Sequence, residues 1–305
     1  MNETAAPSSP TPLRVHAALV AVSLLFGANT FVAKIALREV TPLALVVLRT
    51  AGTAAILFAV SRGRERGTPA APFSRGDYSR LFVYSLLGAS INQVAFLEGL
   101  ARSTATNAAL MVVVVPVLTL GFAVALGRER ASLTGILGIA LGLTGALLLI
   151  LPRGGVEMAP RAALGNLLLL VSGASYALYL VLTRSMLARH DPLRVVSWTF
   201  LLAALTLWPL GLAGLRDVLR SGLTAVGAAS VAYVVIGGTA VPYLLNNWAL
   251  ARVHSSIVAV YVLLQPVVAA SLGRVFLQEQ FGPHTAVAAV LVVAGVVLST
   301  WRRVE

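Results

Sequence analysis

Long apolar runs separated by short polar segments form the dominant pattern of the chain. Ten runs are long enough to cross a bilayer core, which takes about 20 helical residues. They cover residues 15–37, 42–60, 81–101, 104–127, 133–151, 163–183, 195–215, 225–251, 255–276 and 286–301. The runs are continuously apolar, whereas strands of a membrane barrel alternate and are about 10 residues long. The predicted fold class is therefore an all-α membrane protein with ten transmembrane helices.

The two halves of the chain repeat each other at a constant offset of 150 residues. The offset pairs Pro42 with Pro192, Gly88 with Gly238, Pro116 with Pro266, Glu129 with Glu279 and Gly145 with Gly295. Because each repeat contains five spans, the second must enter the membrane from the opposite side. We therefore expect a disordered cytoplasmic tail at 1–14, a first five-helix repeat at 15–152 and an inverted second repeat at 163–302.

Composition and charge support a membrane protein with cytoplasmic termini. The chain is 58% hydrophobic and 11% charged, with a mean hydropathy of +0.88 and a net charge of +12. With the N-terminus inside, fourteen basic residues fall on the inner side, seven on the outer side and two within spans. The positive-inside rule explains this excess better than nucleic-acid binding does. We expect a multi-pass protein of the inner (plasma) membrane.

Four stretches carry a family resemblance. They are LLFGANTFVAKIAL at 24–37, TPLALVVLRT at 41–50, STATNAALMVVVVPVLTLGFAVALGRE at 103–129 and SSIVAVYVLLQPVVAASLGRVFLQE at 255–279. They resemble the EamA family of the drug/metabolite transporter superfamily, and the resemblance covers both halves. It implies ten helices in two inverted repeats, termini inside the cell, and export or exchange of small metabolites such as amino acids.

Amides within the spans are candidate substrate contacts. Asn92 and Gln93 lie near the middle of the third span, and Asn246 and Asn247 lie one turn further along the matching eighth span. Buried amides need partners or a water-filled cavity. These four residues either line a pocket between the repeats or hydrogen-bond neighbouring helices.

Charged residues within the spans leave several interpretations open. Arg49 is seven residues into the second span, where it could hold a substrate carboxylate, reach lipid headgroups or pair with a carbonyl. Glu98 lies near the outer boundary with Arg102 at i+4, which indicates either an ion pair or a role in coupling. Lys34 and Arg184 are predicted to be anchors near span ends.

The predicted substrate-binding set combines amide, aromatic and charged side chains: Asn29, Thr30, Arg49, Asn92, Gln93, Tyr176, Tyr179, Tyr243, Asn246, Asn247, Tyr261 and Gln265. Pro116 and Pro266 each interrupt the fourth helix of a half, and these kinks either form gates or are packing bends. Glu129 and Glu279 are predicted to cap the start of the following helix.

Enzyme signatures are missing from the sequence. The four histidines are isolated, no cysteine is present, and neither a Walker A sequence nor a dinucleotide fingerprint occurs. We expect no cofactor and no metal, a small-molecule substrate, contact with the lipid bilayer and a monomer. The predicted function is export of small organic metabolites by alternating access. The alternatives are an uptake or facilitative carrier and a non-transporting membrane protein such as a lipid-handling enzyme.

Overall fold

The protein is built from helices. The computed structural model describes residues 12–65, 72–103, 105–150, 160–268, 271 and 283–300, and no strand occurs within those ranges. The helical segments, numbered in chain order, are α1 Pro12–Ala36, α2 Pro42–Glu65, α3 Arg75–Arg102, α4 Ala105–Val113 continued by Val115–Ala125, α5 Leu133–Ile150, α6 Pro160–Leu187, α7 Pro192–Ser221, α8 Ala225–Leu250, α9 Ser255–Val268 and α10 Pro283–Thr300. Each predicted apolar run overlaps one of these segments.

Within the described residues, six segments are long and apolar enough to cross a membrane, namely α1, α2, α3, α6, α7 and α8. The apolar parts of α4, α5, α9 and α10 are shorter. The all-helical class and the multi-pass character follow from the six long segments. Crossing by all ten stays a prediction.

Polar caps explain why two helices begin before the predicted runs. Ser74 Oγ accepts a hydrogen bond from the Asp77 amide at 3.2 Å, and the Asp77 carboxylate accepts from the Ser74 amide at 3.1 Å. This capping box starts α3 six residues before the apolar run at 81. Asp191 caps α7 by accepting from the Leu193 amide at 3.1 Å.

Two π-helical turns interrupt α3 and α8 at matching places in the two halves, at Leu86–Ile91 and Ile236–Ala240. Such turns disturb the regular backbone ladder and are frequent at functional sites. Side chains from other helices bind the carbonyls there. Gly88 O accepts from the Tyr243 hydroxyl at 2.8 Å, and Gly238 O accepts from Arg49 Nη2 at 2.8 Å. The free backbone groups are therefore satisfied across the two halves.

Helices of the two halves pack against each other in antiparallel pairs. In the α2–α7 pair, a Cβ at Gly211 would lie 2.5 Å from Val47, whereas the rings of Phe58 and Trp198 lie 5.6 Å apart. Residue numbers thus rise along α2 as they fall along α7. The pairs α3–α6 and α5–α10 follow the same rule: Gly99 meets Gly165 and Leu87 meets Ser175, while Gly138 meets Ser299 and Gly145 meets Ala288.

The 150-residue offset holds for individual contacts. Lys34 Nζ donates to the carbonyls of Leu100 and Ser103 at 2.7 and 2.6 Å. Its equivalent Arg184 donates through Nε to the carbonyl of Val253, the equivalent of Ser103, at 3.0 Å. Both basic side chains bind the carbonyls that follow or end a neighbouring helix, where a cation complements the helix dipole.

The position of Glu129 corrects one sequence prediction. The cap of α5 is Ser132, whose hydroxyl accepts a 3.1 Å bond from the Gly135 amide. Glu129 instead accepts from the hydroxyls of Ser255 and Ser256 and from the Ser256 amide at the start of α9. Free amides at a helix N-terminus attract a carboxylate from any element within reach. Glu279 lies outside the described residues.

We expect Glu129→Gln to destabilise the protein by about 1 to 3 kcal/mol near pH 7, because it weakens hydrogen bonds to a charged group. Burial raises the pKa of the Glu129 carboxyl, but the serine hydrogen bonds outweigh burial and hold its pKa below the ordinary value. The contribution is complete above the unfolded pKa and is lost as the pH falls through the lowered folded pKa. Thermal unfolding in detergent should therefore separate wild type from variant near pH 7, and the difference should begin to shrink only below about pH 4. A difference that persists unchanged in acid would contradict this role.

Candidate functional site

A cavity lies between the two halves. Both halves contribute to its lining, which consists of Phe26, Asn29, Thr30, Arg49, Asn92, Gln93, Phe96, Val112 and Val115 from the first and Leu169, Ser172, Gly173, Tyr176, Tyr243, Val262 and Gln265 from the second. Apolar walls with a few polar groups are typical of sites for organic solutes.

The Tyr243 hydroxyl is the central polar group of the cavity wall. It accepts a hydrogen bond from Gln93 Nε2 at 2.7 Å, and it faces Gly88 O at 2.8 Å and Asn92 Oδ1 at 3.0 Å. Gln93 and Tyr243 are equivalent residues of the two repeats, because they are 150 positions apart. This side-chain bond therefore joins the two halves at the place where their equivalent positions meet.

Asn92 extends this network to the sixth helix. Its Nδ2 donates to the carbonyl and to the hydroxyl oxygen of Ser172, both at 3.0 Å. The wall next to this network is aromatic, with the Phe26 ring edge-on to Tyr243 at 5.9 Å and to Tyr176 at 6.5 Å. Amides and tyrosine hydroxyls thus lie beside aromatic faces, an arrangement that suits an amphipathic solute.

Four predicted site residues, Tyr179, Asn246, Asn247 and Tyr261, are not part of the described lining. Asn247 is fully buried, donates to the Tyr243 carbonyl at 2.8 Å and accepts from the Tyr179 hydroxyl at 3.0 Å. Asn246 donates to the Tyr176 hydroxyl. Asn246 therefore supports the Tyr176 hydroxyl, and the Tyr179 ring lies 6.2 and 6.3 Å from the rings of Tyr176 and Tyr243.

The kinks of α4 and α9 lie beside the cavity. The α4 ladder breaks at Val114, two residues before Pro116. In α9, a short 3₁₀ segment at Tyr261–Leu264 precedes Gln265 and Pro266. Gln265 lines the cavity, whereas the Tyr261 hydroxyl bonds Nδ1 of His16. Their role as gates stays a prediction.

Glu98 forms the ion pair that its spacing indicates. Arg102 Nη1 donates to the Glu98 carboxylate and, at 3.0 Å, to the Glu98 backbone carbonyl. The pair is partly exposed and is not part of the described lining of the cavity. A role of Glu98 in coupling stays a prediction.

Arg49 is the charged residue of the described lining and is 2% exposed. Its Nε bonds the Thr239 hydroxyl, and Nη2 donates to Gly238 O at 2.8 Å. Among the described residues its Nη1 has no hydrogen-bond partner. Thr239 and Ser172 are functional neighbours that the sequence prediction missed, since a single hydroxyl in an apolar run gives little signal. The two glycines that precede Thr239, at 237 and 238, are the sequence signal that could have drawn attention to this position.

The model of the EamA-like transporter family matches residues 13–151 and again residues 163–301. The chain belongs to the EamA-like transporter family. The two matches fall on the two repeats that the 150-residue offset predicted, so this family's two-repeat architecture accounts for the arrangement of the helices. The six long apolar helices and the cavity between the halves are features of this EamA-like chain.

Several relatives of this EamA-like protein carry transporter names. An uncharacterized transporter of Archaeoglobus fulgidus is 28% identical over 286 residues, which cover 92% of this chain and 96% of that protein. An uncharacterized protein of Pseudomonas aeruginosa is 30% identical over 285 residues, 92% of each chain. A crystal structure matches with a TM-score of 0.74 at 21% identity, covering 94% of this chain and 96% of that one, and so shows a shared fold.

Proposed function

We propose that this EamA-like protein is a secondary transporter that exports small organic metabolites, such as amino acids or related amphipathic solutes, by alternating access. The observation that carries the proposal is the cavity built from both halves, in which buried amides and hydroxyls lie beside aromatic rings. Burying such groups is unfavourable unless they serve packing or a ligand. In this proposal, the chain spans the inner membrane ten times and both termini lie in the cytoplasm.

Alternating access in this proposal uses two inverted repeats around a fixed site. The antiparallel pairing of equivalent helices and the bond between Gln93 and Tyr243 support a pseudo-two-fold axis through the cavity. The proline kinks of α4 and α9 and the π-turns of α3 and α8 are the places where each half can bend. Exchanging the conformations of the two halves would open the cavity to the other side of the membrane.

Counter-flow in proteoliposomes tests transport. Vesicles with the purified full-length protein are loaded with an unlabelled solute, and uptake of the same labelled solute is followed for a panel of amino acids, organic acids and amines. We expect a transient overshoot for at least one class of solute, which protein-free vesicles do not show. If no solute overshoots while size-exclusion chromatography shows folded protein, the chain is a non-transporting membrane protein.

A further inference from the structure

We infer that the cavity selects organic monoanions, and that Arg49 Nη1 is the group that binds their carboxylate. This inference rests on the proposed function and names its class of substrate. It excludes amines as preferred substrates and places zwitterionic amino acids below simple acids of the same size.

The first observation is the incomplete bonding of a buried cation. Nε and Nη2 of Arg49 are used by Thr239 and Gly238 of α8, and these bonds fix the plane of the guanidinium. Nη1 has no partner among the described residues. A buried charge without a counter-ion is strongly unfavourable, and a guanidinium binds carboxylates with directional, charge-assisted bonds. An anionic solute in the cavity would supply the missing partner.

The second observation is the charge of the remaining wall. The described lining contains amides, hydroxyls, aromatic rings and aliphatic groups beside Arg49, and none of these lining residues is acidic. A solute ammonium group would therefore find no carboxylate there and would be repelled by the arginine. The rings of Phe26 and Tyr176 can instead accept the apolar part of an organic acid.

The charge of the solute has a consequence for direction. A monoanion that crosses without a compensating ion is driven outward by an inside-negative membrane potential. The potential supports a concentration ratio of roughly fiftyfold per 100 mV, since it acts on one elementary charge. An anion-selective cavity can thus export its substrate without a protonatable carboxylate in the pathway, which agrees with the peripheral position of Glu98.

Four probes of the same skeleton test the inference: phenylacetate, phenylalanine, phenylacetamide and phenethylamine. Each competes in counter-flow with the best solute of the panel, and its binding to the purified full chain is measured by thermal shift. We expect phenylacetate to compete at concentrations at least tenfold below the other three. An inside-negative potassium diffusion potential should accelerate phenylacetate efflux. Equal competition by the amide or amine, or efflux that ignores the potential, would overturn the inference while leaving counter-flow, and so the transporter proposal, intact.

Variants distinguish recognition of the substrate's negative charge by Arg49 from structural support of the Arg49 guanidinium by its neighbours. Arg49→Met should raise the half-inhibitory concentration of phenylacetate at least tenfold and leave that of phenylacetamide within about twofold. Arg49→Lys should retain the preference for the acid, and Thr239→Val, which removes only a brace of the guanidinium, should retain it as well. Arg184→Met is the matched control, since Arg184 bonds a backbone carbonyl away from the cavity. If Arg49→Met does not fold, the lysine variant decides: loss of the acid preference with the charge kept would overturn the inference.

Discussion

Tyr243→Phe is expected to lower the counter-flow rate at least tenfold. The substitution removes a hydroxyl that accepts from Gln93 and faces the carbonyl of Gly88 and the amide oxygen of Asn92. Each buried polar group left without a partner costs about 1 to 3 kcal/mol. Because these groups belong to both halves, losing the hydroxyl changes how the halves meet at the cavity. The measurement is initial counter-flow rate per folded protein.

Tyr233→Phe is the control for this prediction. Its hydroxyl donates one bond, to the Leu25 carbonyl at 3.2 Å, and the residue is not among the described lining of the cavity. The counter-flow rate of Tyr233→Phe should stay within about twofold of wild type, since one typical hydrogen bond contributes about 1 kcal/mol to stability. Equal loss in both variants would show that the Tyr243 hydroxyl has no special part in transport.

Gly295→Val is expected to destabilise the protein by about 3 kcal/mol, near the upper end for overpacking a tight interface. A Cβ at Gly295 would lie 2.4 Å from the Gly142 amide nitrogen and 2.6 Å from the Gly138 carbonyl oxygen. Both are backbone atoms, so the clash can be relieved only by moving α5 and α10 apart. The small residues let these two helices approach closely, as small-xxx-small pairs do in membranes. Thermal unfolding in detergent measures the loss.

Gly121→Val provides the comparison for this change. Gly121 also lies within a helix, but a Cβ there would meet no atom within 4 Å. The two substitutions share the change in helix propensity and differ in the contact that the side chain makes. We expect the Gly121 variant to unfold at a temperature close to that of wild type. Equal destabilisation would mean that the α5–α10 contact adds little to stability.

The helices and the repeat could be predicted from the sequence because both rest on signals spread over many residues. An apolar run of about 20 positions is determined by the bilayer and needs no knowledge of neighbours. The 150-residue offset is likewise a property of the chain, and the structure repeats it in single contacts such as those of Lys34 and Arg184. The helix ends could be predicted less well than the helices themselves. The Ser74 capping box, which starts α3, is a local polar signal outside the apolar run.

The cavity could be predicted only in part, because lining depends on how far along its helix a side chain lies as well as on the face that it occupies. Asn92 and Gln93 line the cavity, whereas Asn246 and Asn247, one turn further along the equivalent helix, are not part of the described lining. One helical turn is enough to move a residue out of the wall. Ser172 gave no signal, since a serine in an apolar run is common at helix contacts as well.

Accessibility of Ser172→Cys from each face of the membrane tests the central claim, that the cavity is a solute pathway open alternately to both sides. The wild-type chain contains no cysteine, so one substitution provides a unique label site. Ser85→Cys is the control, because Ser85 is fully buried, donates to Phe82 O of its own helix and is not among the described lining. Membrane-impermeant thiol reagents are applied to vesicles of known orientation, from one side at a time. The account predicts that Ser172→Cys reacts from both faces, that a transported solute protects it, and that the label stops counter-flow while Ser85→Cys stays unlabelled. Failure of Ser172→Cys to react from either face in folded protein would contradict it.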